Sequence, residues 1–350
     1  MGLQVDIRKD FGAFRLDVSF EAGRELLGLL GASGCGKSVT LQCIAGIERP
    51  DAGRIVLNGR TLFDSEKHID LPPQERRVGY LFQQYALFPN MTVEKNVAAG
   101  AWRLPKAERK AAVDAMLEKM QIAELRDKYP RQLSGGQQQR TALARILINE
   151  PEALLLDEPF SALDSHLRDR MEREVMAVVR DFGGTTLLVS HSRDEIFRMS
   201  DAVAVYNDGR IDAFGEKHAL FRDPKTYTAA MLTGCKNFSR ISGLRHENGR
   251  TVFFADDWDM ELSVSGVRTG DMVGLRRHYA VLADAPGPNV YEMEVTGAIE
   301  DPFEYILLLR RPGYAGEPFG WTVTKDEYRR LPPGNLLLCF PDPALMLLKE

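Results

Sequence analysis

One octapeptide constrains the chain more than any other feature: Gly31-Ala32-Ser33-Gly34-Cys35-Gly36-Lys37-Ser38 fits GxxxxGK[ST]. An apolar run at residues 25–30 precedes it, and the helical period behind it closes near Gly46, before Pro50. The glycines let the backbone wrap a phosphate with its N–H groups, and the N-terminus of the following helix adds positive potential. Lys37 can reach the β and γ phosphates, and the Ser38 hydroxyl can ligate Mg2+. The segment is read as a cradle for a nucleoside triphosphate, lined by Gly31, Ser33, Gly34, Cys35, Gly36, Lys37, Ser38 and Val39, with Cys35 contributing only its backbone.

The surrounding pattern fits that cradle. Short apolar runs alternate with longer helical periods, and strands are expected at residues 25–30, 78–82, 153–156, 185–190 and 202–206. The runs at 153–156 and 186–189 are apolar without alternation, as in parallel strands covered on both faces. Asn207-Asp208-Gly209-Arg210 then signals a hairpin turn, which predicts a small antiparallel edge at 211–214. Residues 106–120 carry Ala111, Ala112, Ala115, Met116 and Met120 at helical spacing and are expected to form a helical insertion that ends before Tyr129-Pro130.

Beyond Cys235 the texture becomes short β-like pieces at 251–254, 260–264, 272–276, 291–295, 305–310 and 335–340, punctuated by Pro-Gly turns. A chain of 350 residues should hold two domains. The expectation is an α/β P-loop NTPase domain over 1–235 and a small all-β, barrel-like domain over 236–350. The second segment has no further phosphate loop and no metal-spaced His or Cys set. His246 and His278 stand alone, so it is expected to regulate or dimerise and to do no chemistry.

Charge and composition narrow the function. Lys plus Arg number 45 against 50 Asp plus Glu, a net charge of −5, which argues against a protein that neutralises many nucleic-acid phosphates. No apolar run reaches the roughly 18 residues a spanning helix needs. The charged N-terminal stretch lacks the apolar run of a signal peptide, and the four cysteines form no CxxC pair; free thiols in a reducing cytoplasm are expected.

Two more motifs carry chemistry. The run at 153–156 delivers Asp157 and Glu158 at its C-terminal end, the edge of a parallel sheet where ligands collect. Asp157 suits a Mg2+ shell, which leaves Glu158 to polarise a water for in-line attack on the γ phosphorus. Leu133-Ser134-Gly135-Gly136-Gln137 has capping-box spacing ahead of a helical run. A helix start with two glycines and a hydroxyl is also a second anion site.

With these motifs in this order, residues 1–235 resemble the ATP-binding subunit of an ATP-binding cassette (ABC) transporter. The resemblance implies roles for further residues: Gln83, in Leu81-Phe82-Gln83-Gln84-Tyr85-Ala86-Leu87-Phe88-Pro89, as the Q-loop glutamine that also contacts Mg2+; Ser161-Ala162-Leu163-Asp164 as the D-loop; and His191 as the switch histidine. Phe11, before Gly12, matches an aromatic that stacks on adenine, with Phe14 as its competitor. It implies catalysis by Lys37, Gln83, Glu158 and His191, and Mg2+ held by Ser38, Gln83 and Asp157. In the family two subunits pack head to tail, so Ser134, Gly136 and Gln137 of one copy would close on the ATP held by the other.

The implied partners are a second copy of the chain, transmembrane permease subunits and, indirectly, an extracytoplasmic solute-binding protein, at the cytoplasmic face of the membrane and without nucleic acid. Residues 85–91, with Tyr85, Leu87, Phe88 and Met91, and the helical insertion that follows are expected to meet the permease. The β domain is TOBE/MOP-like in outline. The short N-terminal strand without an insertion before Arg15-Leu16-Asp17-Val18 and the run Leu232-Thr233-Gly234-Cys235-Lys236-Asn237 are similar to molybdate, tungstate or sulfate importers, while iron, polyamine and sugar importers share the cassette. A non-transport ABC ATPase acting on nucleic acid or the ribosome would show a long coiled-coil insertion or two cassettes; here residues 39–132 alone separate the two phosphate motifs. A small-molecule kinase or GTPase would not need the sequence 133–137.

Overall fold

The computed structural model describes residues 2–161 and 165–350, so Ala162, Leu163 and Asp164 of the expected D-loop lie outside the described residues. In chain order the first part contains β1 (Leu3–Asp10), β2 (Arg15–Ala22), β3 (Leu26–Gly31), α1 (Lys37–Ala45), β4 (Ala52–Leu57), β5 (Arg60–Asp64), β6 (Ile69–Asp70), β7 (Val78–Leu81), α2 (Val93–Gly100) and α3 (Lys106–Lys119). There follow α4 (Gly135–Leu147), β8 (Ala153–Asp157), α5 (Ser165–Phe182), β9 (Thr185–Ser190), α6 (Arg193–Met199), β10 (Ala202–Asn207) and β11 (Arg210–Glu216).

The strand order β11-β10-β3-β9-β8-β7 makes a six-stranded sheet that is parallel except at β11. Strands β3, β8 and β9 are buried at every position, which explains their apolar runs without alternation. A second, antiparallel sheet of order β2-β1-β4-β5-β6 was not anticipated. Its signal is period-two burial: Leu3, Val5 and Ile7 on β1 and Leu16, Val18 and Phe20 on β2 point inward while their neighbours face out. One core joins these side chains to Leu41 and Ile44 of α1 and to Leu27, Leu155 and Leu187 of the parallel sheet.

The helical insertion begins where expected, but its buried stripe differs. Val113, Leu117 and Met120 are buried, whereas Ala111 and Ala115 are exposed, because the larger side chains remove more apolar surface from water.

The chain divides into compact units Met1–Lys217 and His218–Glu350. This boundary lies before the expected 235/236. The intervening helices α7 (Lys217–Arg222) and α8 (Tyr227–Leu232) are tied to later strands: Arg276 donates to the carbonyls of Phe221 and Thr233, and Tyr227 N to that of Lys349.

The second unit continues with β12 (Asn237–Glu247), β13 (Arg250–Ala255), β14 (Met260–Ser265), β15 (Met272–Leu275), β16 (Val281–Leu282), β17 (Val290–Glu300), β18 (Glu304–Arg310), β19 (Phe319–Thr324), α9 (Lys325–Arg330), β20 (Leu336–Cys339) and β21 (Met346–Leu348). Two five-stranded antiparallel sheets, β14-β13-β12-β15-β21 and β16-β20-β17-β18-β19, share one core that includes Phe253, Leu262, Leu307 and Trp321. Asn237 stitches them by bonding both the carbonyl (2.8 Å) and the N–H (2.9 Å) of Gly320. Across residues 236–350 the all-β, TOBE-like expectation holds, with the short helix α9 added by a Thr324–Glu327 capping box.

Candidate nucleotide site

The loop after β3 is built by sterics. A Cβ at Gly31 would lie 2.8 Å from the Tyr206 carbonyl oxygen. At Gly36 it would lie 2.7 Å from Leu16 Cδ1, and the φ of +102° there disfavours any side chain. Gly36 is the N-cap of α1, so the loop ends at a free helix N-terminus. Lys37 is only 4% exposed, and its Nζ donates to the carbonyls of Gly31 (2.9 Å) and Ala32 (2.7 Å). An ammonium held against the mouth of the loop it spans is in place to meet an anion there. Cys35 turns inward, its Sγ 3.5 Å from Lys37 Nζ, while Ser33 and Gly34 are exposed and Val39 packs half-buried on the core.

At the end of β8 the buried Asp157 accepts from Ser38 Oγ and from Tyr80 Oη, each at 2.7 Å. Burial, and then the carboxylate beside it, drive the Tyr80 phenol well above its usual range, so Tyr80 stays a donor. Tyr80 was missed from sequence. Its signal exists only in the register of β7 on β8, which sets Tyr80 opposite Leu155.

Glu158 has left the strand. Its φ is +46°, its N–H donates to the Val189 carbonyl at 3.1 Å, and its carboxylate gathers Gln83 Nε2 at 3.3 Å and His191 Nδ1 at 3.5 Å. Gln83 Nε2 also donates to Ser161 Oγ (3.1 Å), the one described residue of the expected D-loop. Gln83 therefore groups with Glu158 rather than with the Ser38–Asp157 pair. His191 lies between β9 and α6, on a turn held by Ser190 Oγ donating to Glu195 Oε2 (2.6 Å) and by Ser192 N donating to Ser190 Oγ (2.9 Å). Sequence reasoning missed Ser190 and Glu195.

Ser134 caps α4 in a reciprocal box: Gln137 N donates to Ser134 Oγ (3.4 Å) and Ser134 N to Gln137 Oε1 (2.9 Å). A Cβ on Gly136 would meet Met171 Sδ at 2.6 Å. Among the described residues, the side-chain bonds of Ser134 and Gln137 stay within the turn they cap, so no hydrogen bond joins them to Lys37, Asp157 or Glu158 in the same chain.

Phe11 is 47% exposed at the β1–β2 turn, with Lys9 Nζ 5.5 Å from its ring centroid, whereas Phe14 packs half-buried beside Gly36. Of the two rings, Phe11 is the more exposed. Tyr85 departs from expectation: it is buried and Leu87 is half-buried, so of the four apolar residues expected at that surface Phe88 and Met91 are the exposed ones.

Comparison with known proteins gives the family. Residues 15–161 match the family described as ABC transporter. The molybdenum import ATP-binding protein ModC of Paramagnetospirillum magneticum is 38% identical over 292 residues, covering 82% of this chain and 79% of the relative. The chain is an ATP-binding subunit of an ABC importer. The spermidine/putrescine import ATP-binding protein PotA of Nitratidesulfovibrio vulgaris is also 38% identical, over 329 residues, 90% of this chain and 83% of the relative.

Among solved structures, a dimeric ATP-binding cassette in a post-hydrolysis state bound to ADP and Pi covers 62% of this chain and 99% of its own, at 26% identity and a TM-score of 0.52. The cbiO1 protein of Clostridium perfringens, part of the ABC transporter complex cbiONQ, covers 63% and 90%, at 29% identity and a TM-score of 0.55. The importer subunit is thus an ATPase, and among its described residues no helix is long and apolar enough to cross a membrane.

Proposed function

We propose that the importer subunit hydrolyses Mg-ATP at sites shared between two copies of itself and so drives uptake of an oxyanion such as molybdate or sulfate. The observation that carries the hydrolytic reading is the division of labour at the end of β8. Asp157 is bonded to Ser38, while Glu158, one residue later, faces Gln83 and His191.

Ser38 and Asp157 offer hard oxygens 2.7 Å apart, which suits Mg2+. An ion held there would take its remaining ligands from phosphate and water. Bound there, Mg2+ would neutralise charge on the β and γ phosphates. Lys37 binds the same phosphates. Glu158 takes the proton of the attacking water, His191 orients that water, and Gln83 links the pair to the segment that follows. Phe11 stacks on adenine. Ser134, Gly136 and Gln137 complete the site from the second copy, a role supported by the dimeric form of the ADP-bound cassette.

The permease binds, on this reading, over a groove of about 460 Å3 whose walls include Phe82, Phe88, Trp102 and Arg145. Phe88 is 46% and Trp102 47% exposed, an apolar patch that a membrane partner would cover at the cytoplasmic face. Residues 236–350 regulate or dimerise the subunit.

The oxyanion is supported by the ModC relatives of Paramagnetospirillum magneticum and Rhodospirillum rubrum. A polyamine is the second reading, favoured by the PotA match over 90% of the chain. ATPase of the assembled importer, measured with binding protein loaded with molybdate, sulfate or spermidine, separates them. Stimulation by molybdate or sulfate is expected, and stimulation by spermidine alone overturns the oxyanion.

A further inference from the structure

Pro159, directly after Glu158, offers its carbonyl to two buried donors from distant parts of the chain: Tyr85 Oη at 3.3 Å and Gln139 Nε2 at 3.2 Å. Tyr85 belongs to the segment that follows Gln83, and Gln139 to the second turn of α4, the helix that Ser134 caps. Both side chains are committed to this contact. Tyr85 is 4% exposed on an otherwise exposed loop, with φ +59°, and burial pushes its phenol up to about 12, so it donates. Gln139 is fully buried, and its Oε1 has no hydrogen-bond partner. A buried amide that leaves its acceptor unpaired is oriented by what its donor gains, and that is the Pro159 carbonyl.

The peptide so held matters because of its neighbour. Glu158 sits at φ +46°, a region uncommon for a residue with a side chain, and the proline that follows narrows its choices further. Such a conformation persists only when the surroundings over-determine it. Here the Glu158 N–H is fixed on the Val189 carbonyl, its own carbonyl accepts from Ser161 Oγ (3.0 Å), and the next carbonyl is fixed by Tyr85 and Gln139.

We propose that Tyr85 and Gln139 are positioning residues for Glu158, coupling the loop after Gln83 and the capped helix α4 to the carboxylate through the Pro159 carbonyl. The proposal rests on the reading of Glu158 as the base. Either element, when moved by a partner or by the second copy, then acts on the base through a single peptide.

The test is a set of full-length variants assayed with Mg-ATP. Tyr85→Phe removes only the hydroxyl, and Gln139→Met keeps the length and removes the donor. Each is expected to lower kcat about three- to tenfold with KM for ATP unchanged, the effect of one lost hydrogen bond expressed in turnover. In a Glu158→Gln background the same changes should lower the residual rate no further, because there is no base left to position. Independent losses in that background, a rise in KM equal to the fall in kcat, or loss of the ATP-dependent rise in melting temperature in both variants would overturn the proposal. Glu158→Gln retaining full turnover would instead overturn the base assignment beneath it.

Discussion

Asp157 and Glu158 are neighbours in sequence and opposites in environment. Asp157 is 8% exposed, and both of its carboxylate oxygens accept from hydroxyls at 2.7 Å. Glu158 is held by a 3.3 Å amide and a 3.5 Å imidazole, and that imidazole side chain is 63% exposed. The difference separates binding from reaction. A carboxylate that must hold a cation gains from burial and fixed partners, because nothing then has to reorganise when the ligand arrives. In the proposed reading, a carboxylate that must take a proton from water has to admit the water, which fits the longer contacts of Glu158.

The comparison can be broken by removing one side at a time. Lys37→Ala should cause the largest loss: the loop forfeits its only buried cation, so the ATP-dependent rise in melting temperature should vanish and ATPase should fall to background. Ser134→Arg should also abolish ATPase, by blocking the site of the partner copy, yet should keep nucleotide binding to its own loop. Mixed with Lys37→Ala chains, it should regain at most one working site per dimer, measured as ATPase against mixing ratio.

His191→Ala acts on the exposed side and should lower kcat by about 10 to 10² while ATP affinity, read by equilibrium binding, stays put. Tyr80→Phe acts on the buried side and should show the smallest catalytic effect. It leaves an oxygen of the buried Asp157 without its donor, so chemical denaturation should report a loss of about 1–3 kcal/mol that added Mg2+ partly restores.

What could be read in advance follows the same divide between local and long-range. The phosphate loop and the cap at Ser134 are local devices: Gly36 and the Ser134–Gln137 box work within a few residues, so spacing reveals them. Tyr80 is different. Its value depends on the pairing of β7 with β8, and nothing near it in the chain marks it. Gln139 and Tyr85 likewise look like an ordinary helix glutamine and loop aromatic until Pro159 is brought between them.

In the fold, the buried parallel strands were legible because burial on both faces leaves an unbroken apolar run. Strands β1 and β2 alternate correctly with polar side chains such as Gln4, Asp6 and Ser19 facing out, and only a short N-terminal strand was legible there, not the sheet it joins. The early unit boundary was hidden because α7 and α8 resemble the helices before them, and the long-range bonds from Arg276 and between Tyr227 and Lys349 reveal where they belong.

The most direct measurement of the central claim is made on Glu158→Gln. The change keeps the shape of the side chain and removes its basicity, so turnover should fall by about 10² to 10⁴ while Mg-ATP affinity, measured by equilibrium binding on the same protein, stays within about threefold of the parent. A Glu158→Gln chain that hydrolyses ATP at the parent rate, with Asp157 and its two hydroxyl partners intact, would contradict the separation of a binding carboxylate from a reacting one.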